Sequence, residues 1–201
     1  LFQVNKAVEN RVFRRREAAM NIVIPLADGF EEIEAVSPID IFRRAGYTVV
    51  TAGLGKKEAT GSHAVTVSAD RILSELKPAD FDAIVLPGGP GTKNLRSDSG
   101  VIGFVRAMHA KGSLCAAICA APTVLGAAGI LKGRKATCFP GEEHNLGGAV
   151  YTGSVVEVDG KIVTGKAAGS AISFALAIVA ILSGKDASDA LRGKMYIHWI
   201  D

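Results

Sequence analysis

Cys119 stands where an apolar run stops and a small-residue helix pattern begins, in "LCAAICAAPTVLGAAGI", residues 114–130. Leu114 to Ile118 read as a short buried strand. Pro122 to Ala128 read as a helix with proline near its first turn. The spacing predicts a sharp strand-to-helix turn, the geometry of a nucleophile elbow, with the thiol near the positive end of a helix dipole. That setting lowers a thiol pKa, to roughly 3.5–7.5 at activated sites. The competing role is a small core hydrophobe, common for free cysteine, and the junction position argues against it. Cys115, earlier on the same strand, and Cys138, before Phe139-Pro140, read as structural. Cys115 and Cys119 lack a histidine pair at ligand spacing, so no metal site is expected.

Two further segments end strands with chemically useful residues. In "ADGFEEIEAV", Glu31, Glu32 and Glu34 crowd the start of a helix, where acids complement the dipole. Glu34 sits among apolar Ile33, Ala35 and Val36. Helical geometry sends Glu31 and Glu34 to similar sides and Glu32 elsewhere. In "LPGGPG", residues 86–91, glycines after a buried strand let backbone amides approach a ligand. The segment lacks the Lys-Ser/Thr of a P-loop and the G-x-G-x-x-G spacing. An oxyanion hole and a plain tight turn both remain open.

The elements that position these residues alternate from Met20 onward. Strands are predicted at "NIVIPL", "YTVVTAGL", "FDAIVLPGG" and "SLCAAIC", with "HAVTVSAD" as a strand or hairpin arm. Helices are predicted across Glu32–Ala45, near Val101–Ala110, after the elbow, and across Ser170–Leu182. "VVEVDGKIVTG" reads as a hairpin turning at Asp159-Gly160. This order predicts an α/β sandwich, a mostly parallel sheet with helices on both faces. Ligands bind such sheets at the carboxyl ends of the strands, where Cys119 falls.

The chain has 201 residues, 48% of them hydrophobic, enough for one such domain over residues 20–201. The formal charge of +3 arises in residues 1–19, where Lys6, Arg11, Arg14, Arg15 and Arg16 face Glu9 and Glu17. The remainder is balanced, so the domain carries no electrostatic case for nucleic acid. No run is long and apolar enough to span a bilayer. Residues 1–19 read as a basic N-terminal extension, a tail rather than part of the domain. Organelle targeting is the rival reading, but presequences are acid-poor and Ser-rich, and this segment has two glutamates and no serine. Three cysteines point to a reducing, cytoplasmic setting with free thiols.

With Glu34, "VLPGG" and "AAICAAP" in this order, residues 20–195 resemble the ThiJ/PfpI superfamily, most closely its deglycase branch, which includes YajL-like bacterial sequences. The resemblance implies a flavodoxin-like three-layer sandwich, usually a homodimer paired through the helix at about 32–44. It implies Cys119 as nucleophile, Glu34 as its hydrogen-bonded proton shuttle, and the amides of Gly89 and Ala120 as oxyanion donors. Pocket positions carried over are Gly88, His63, Lys166 and Phe139. Three of these depart from many members: Phe139 replaces a histidine, while His63 and Lys166 replace arginines, losing a bidentate fork. The protease branch has histidine directly after the cysteine; Ala120 stands here, against a peptidase. The implied activity is cofactor-free glyoxalase or deglycase chemistry on methylglyoxal, glyoxal or their early adducts. The alternative is a redox sensor or stress-responsive holdase in which Cys119 is oxidised.

Overall fold

The structure is a computed structural model that describes residues 20–198. The basic extension at 1–19 lies outside the described residues, as does its expected role. Seven strands form the main sheet: β1 (Asn21–Leu26), β2 (Thr48–Gly53), β5 (Arg71–Ile72), β6 (Ala83–Leu86), β7 (Leu114–Ile118), β10 (Val156–Asp159) and β11 (Ile162–Gly165). Their spatial order is β10-β11-β7-β6-β1-β2-β5. Every neighbouring pair is parallel except β10 with β11. β3 (Glu58–Thr60) and β4 (Thr66–Ser68) form an antiparallel side hairpin. β8 (Lys135–Ala136) and β9 (Val150–Tyr151) make a small parallel pair. "HAVTVSAD" is thus the hairpin arm, not a sheet strand, and its first residues belong to a turn in which Ala64 has φ 66°.

The central strands bury both faces, so alternate residues feed two cores. Ile22, Ile24, Leu26, Leu114, Ala116 and Ile118 face one side. There α1 (Glu32–Arg44), α5 (Ala171–Ser183) and α6 (Lys185–Lys194) cover them with Ile41, Phe42, Phe174, Ile178 and Leu191. Val23, Ile84, Leu86, Cys115 and Ala117 face the other. There α2 (Thr92–Ser97), α3 (Ser99–Ala110) and α4 (Pro122–Ala127) supply Leu95, Val101, Phe104, Met108 and Leu125. This is the expected three-layer α/β sandwich. Among the described residues, no helix is long and apolar enough to cross a membrane.

Three local differences from the sequence expectation have plain causes. The helix near Val101 starts at Ser99, because the Asp98 carboxylate caps it by accepting the Val101 N–H at 2.9 Å. The β10–β11 hairpin turns at Gly160-Lys161, one residue later than expected, with Asp159 paired to Ile162. Gly160 takes the positive φ of 63°, while the Asp159 side chain is held by Arg134 and the Lys135 amide. Helices α2 and α6 were not anticipated; α2 is six residues long, too short to show a period.

Candidate active site

The elbow is built as its sequence implies. Cys119 is in the left-handed region, φ 63°, a conformation that costs a non-glycine residue roughly 1–2 kcal/mol. Hydrogen bonds on both sides hold it there. The Cys119 N–H donates to Gly165 O at 2.9 Å, and Phe139 N–H donates to Cys119 O at 2.8 Å. Just downstream, the Thr123 hydroxyl donates to Ala120 O at 2.7 Å and fixes that peptide. Such overdetermined strain is characteristic of functional positions.

Glu34 reaches the same point from the first turn of α1. Glu31 caps the helix, its carboxylate accepting the Glu34 N–H at 2.8 Å. Glu34 is then turned inward and is 1% exposed. Its Oε2 accepts the Gly88 N–H at 2.9 Å. Its Oε1 is buried with no N–H or O–H donor, and the Cys119 thiol is the polar group that engages the carboxyl. Burial is the main force on its protonation and pushes the pKa up to about 7; the Cys119 hydrogen bond opposes this, and the nearby Glu31 charge adds to it.

The loop at 87–91 makes this close approach possible. A Cβ on Gly88 would lie 2.6 Å from Glu34 Oε2 and 2.7 Å from the Cys119 Cβ. Gly89 has φ 88°, and its Cβ would strike Glu31 N and Gly29 O at 2.6 Å each. Backbone bonds from Glu31 N–H to Gly88 O and from Gly91 N–H to Gly29 O knit this loop to the start of α1. The glycines therefore bring two chain segments together and leave the Gly89 and Ala120 amides directed at the sulfur.

The thiol itself departs from the sequence expectation. Its pKa is pushed up, to about 12, not lowered. Burial is the leading cause, and the charge and hydrogen bond of Glu34 act in the same direction. The Gly89 and Ala120 amides pull against them. A helix of six residues does not outweigh a buried carboxylate next to the sulfur. Near neutral pH the thiol consequently keeps its proton, with the Glu34 carboxylate as the nearby acceptor.

A cleft of about 470 Å³ opens over the sulfur, lined among others by Gly89, Cys119, Ala120 and Phe139. Phe139 is 47% exposed and forms an apolar lip. Gly88 lies beneath, against Glu34. His63 and Lys166 do not line this cleft. His63 is exposed and paired with Glu32, Nδ1 to Oε2 at 2.9 Å, and the Lys166 ammonium donates to Gly153 O at 3.1 Å. The cleft instead carries Thr92, Lys93, Arg96, Thr123 and Glu142, none singled out from the sequence. The available signal was Lys93-x-x-Arg96 directly after the glycine loop. Ligand atoms of Glu31, Glu32 and His63 lie within 4.8 Å of one another, but Glu31 is used as the helix cap and Glu32 as the His63 partner. Cys115 and Cys138 are fully buried.

Comparison with known proteins places this geometry in a family. The chain is 37% identical over 178 residues to DJ-1 homolog B of Arabidopsis thaliana, covering 87% of this chain and 41% of that protein. This chain thus spans less than half of that relative's length. It is 32% identical over 165 residues to a Pyrococcus abyssi protein named as a deglycase, covering 81% of this chain and 99% of that one. The oxidized DJ-1 structure from Toxoplasma gondii superimposes with a TM-score of 0.86 at 35% identity, covering 90% of this chain and all of that one. The family model for DJ-1/PfpI proteins matches residues 20–181, which span both the carboxylate and the elbow, and this chain belongs to the DJ-1/PfpI family.

Proposed function

We propose that this chain is a cysteine-dependent deglycase-type enzyme acting on methylglyoxal, glyoxal or their early adducts with amines and thiols. The observation that carries the reading is the strained Cys119 thiol paired with the buried Glu34 carboxyl and faced by two backbone amides. Glu34 titrates at about 7, so near neutral pH it can take a proton and return it. As Cys119 Sγ bonds to the aldehyde carbon, its proton passes to Glu34. The carbonyl π pair moves to oxygen, where the Gly89 and Ala120 amides stabilise it. Glu34 then protonates that oxygen, giving a hemithioacetal. The regenerated carboxylate removes the proton from the former aldehyde carbon and returns it to the adjacent carbon through an enediol. The first carbon is oxidised to a thioester and the second reduced to an alcohol. Water cleaves the thioester, releasing a 2-hydroxy acid and the thiol. An early adduct enters this sequence once its bond to the carrier breaks: the adduct hydroxyl gives its proton to the departing amine or thiol, and the aldehyde that Cys119 attacks is regenerated.

The test is lactate formation from methylglyoxal by purified protein in buffer free of small thiols. Cys119→Ser abolishes it, while Cys115→Ser and Cys138→Ser retain most activity. Full activity in Cys119→Ser overturns the mechanism.

A second reading is favoured by the oxidized state named for the Toxoplasma relative. Here two equivalents of peroxide convert Cys119 to a sulfinic acid, and protonated Glu34 donates a hydrogen bond to it. Peptide mass spectrometry after mild peroxide reads this directly. First oxidation at Cys115 or Cys138 excludes it. The family resemblance also supports a homodimer through α1. Ile33 and Val36 on that helix are 54% and 47% exposed, while Ala35, Ile41 and Phe42 pack inward. Light scattering across micromolar dilution tests this, and a monomer at every concentration rejects it.

A further inference from the structure

The cleft over Cys119 is larger and more charged than a small neutral dicarbonyl requires. A volume of about 470 Å³ falls in the range that holds drug-sized ligands, roughly 300–1,000 Å³. Methylglyoxal fills only a small part of it. The remainder is bounded by Lys93 and Arg96, three residues apart on α2 and therefore on one helical face. Both side chains are exposed, and among the described residues neither makes an ion pair or hydrogen bond. Other cations on the described surface are ion-paired, as Arg44 is with Asp40, Lys56 with Asp28 and Arg134 with Asp159. Glu142 is the cleft's acidic wall residue, and its carboxylate already accepts the Asn145 amide at 2.9 Å. Thr92, at the start of the same helix, is 5% exposed with its hydroxyl buried and unpartnered. Arg96 also borders an adjoining depression with His144 and Asn145, so space continues beyond the two cations.

From this arrangement we infer that the cleft selects an anionic substrate: a dicarbonyl adduct whose reacting carbon lies at Cys119 and whose carboxylate or phosphate is held by Lys93 and Arg96. This deepens the proposed function and rests on its thiol chemistry. It assigns Lys93 and Arg96 as specificity residues that act on binding, with no part in proton transfer. Phe139 covers the apolar part of the adduct between the two ends.

The first experiment needs no turnover. Cys119 alkylation is followed by peptide mass spectrometry with iodoacetate and with iodoacetamide, which differ in charge but little in size. Each rate is normalised to that of glutathione. Two exposed cations should raise the iodoacetate preference of the native protein over the Lys93→Gln/Arg96→Gln variant about tenfold. Roughly 0.5 M sodium chloride should erase most of the difference. An unchanged preference in the double variant overturns the anion site. The second experiment compares turnover of the methylglyoxal adducts of N-acetylcysteine and of its neutral amide. The double variant should lose about tenfold in kcat/KM for the acid, through KM, and stay within about twofold for the amide. Equal loss on both adducts also overturns the proposal. Turnover of neither adduct by the native protein, with the alkylation preference intact, rejects the proposed function and leaves the anion site standing.

Discussion

Glu32 and Glu34 lie two residues apart in the first turn of one helix, and their environments drive them in opposite directions. Glu34 faces the sheet, where burial pushes its pKa up to about 7. Glu32 faces the side hairpin. Burial pushes it up too, but the His63 ring and the His63 amide bind it, and its pKa falls to about 2. The helix dipole acts on both, so it does not explain the difference. The number and kind of donors around each carboxylate do. Glu34 has one backbone N–H and a thiol that competes for the same proton; Glu32 has the His63 ring and several other donors at the solvent boundary. A carboxylate that can release and recover a proton at neutral pH therefore depends on the inward position, and a fixed negative charge on the outward one.

The largest expected effect comes from removing the inward carboxylate. Glu34→Gln should lower kcat by about 10²–10⁴, the usual loss for a general base. It should also move thiol alkylation to lower pH, because the Glu34 charge and hydrogen bond both raise the Cys119 pKa. A variant that loses activity without that shift would mean Glu34 acts only by packing. Gly88→Ala comes next. Its Cβ has no room between Glu34 and Cys119, so the pair must separate. Activity should fall about hundredfold, as for displacements near 1 Å, and stability by about 1–3 kcal/mol. Near-native turnover would show that the carboxyl-thiol contact is dispensable.

A third test reads the same difference through stability. The Glu34 pKa is raised from 4.5 to about 7 on folding, so between those values the folded state binds the extra proton. Its contribution is most favourable below pH 4.5 and is lost as pH rises toward 7, a change of about 3 kcal/mol. Chemical denaturation from pH 5 to 8 should show native stability falling with pH, with a flatter profile in Glu34→Gln. Parallel profiles would place the titration elsewhere.

Much of this is legible in the amino-acid sequence. The main strands and the helices between them follow from buried apolar runs and helical periods, and the elbow from proline three residues after a cysteine, while the spatial order of the strands does not. The opposed directions of Glu34 and Glu32 followed from helical spacing. The rest depended on contacts that no local pattern encodes. The thiol's raised pKa comes first from burial and then from Glu34, 85 positions away along the chain. His63 stood apart from the cleft because Glu32 holds it, and that ion pair joins a helix to a hairpin whose partner strand, β3, is three residues long. Lys93 and Arg96 were hidden because a one-and-a-half-turn helix leaves too few residues for a periodic signature.

The smallest effect belongs to the outward carboxylate. Glu32→Gln replaces a charged acceptor of the His63 N–H at 2.6 Å, its ring at 2.9 Å and the Ser62 hydroxyl at 3.3 Å. Because Glu32 has a lowered pKa, its contribution is fully present above the ordinary value of 4.5 and disappears as pH falls through about 2. Near pH 7 the substitution therefore removes all of it, yet the His63 side chain is 74% exposed, where solvent screens the pair. The melting temperature should drop by only about 1–3 °C, and kcat/KM should stay within about twofold. The sharper readout is the His63 ring. Glu32 is the main cause of its raised pKa, so the imidazole should titrate at lower pH in the variant, as followed by NMR. That shift, without a matching shift in the activity profile, would keep the two carboxylates functionally separate. A large loss of turnover would instead show that the hairpin carrying His63 is coupled to the thiol through the first turn of α1.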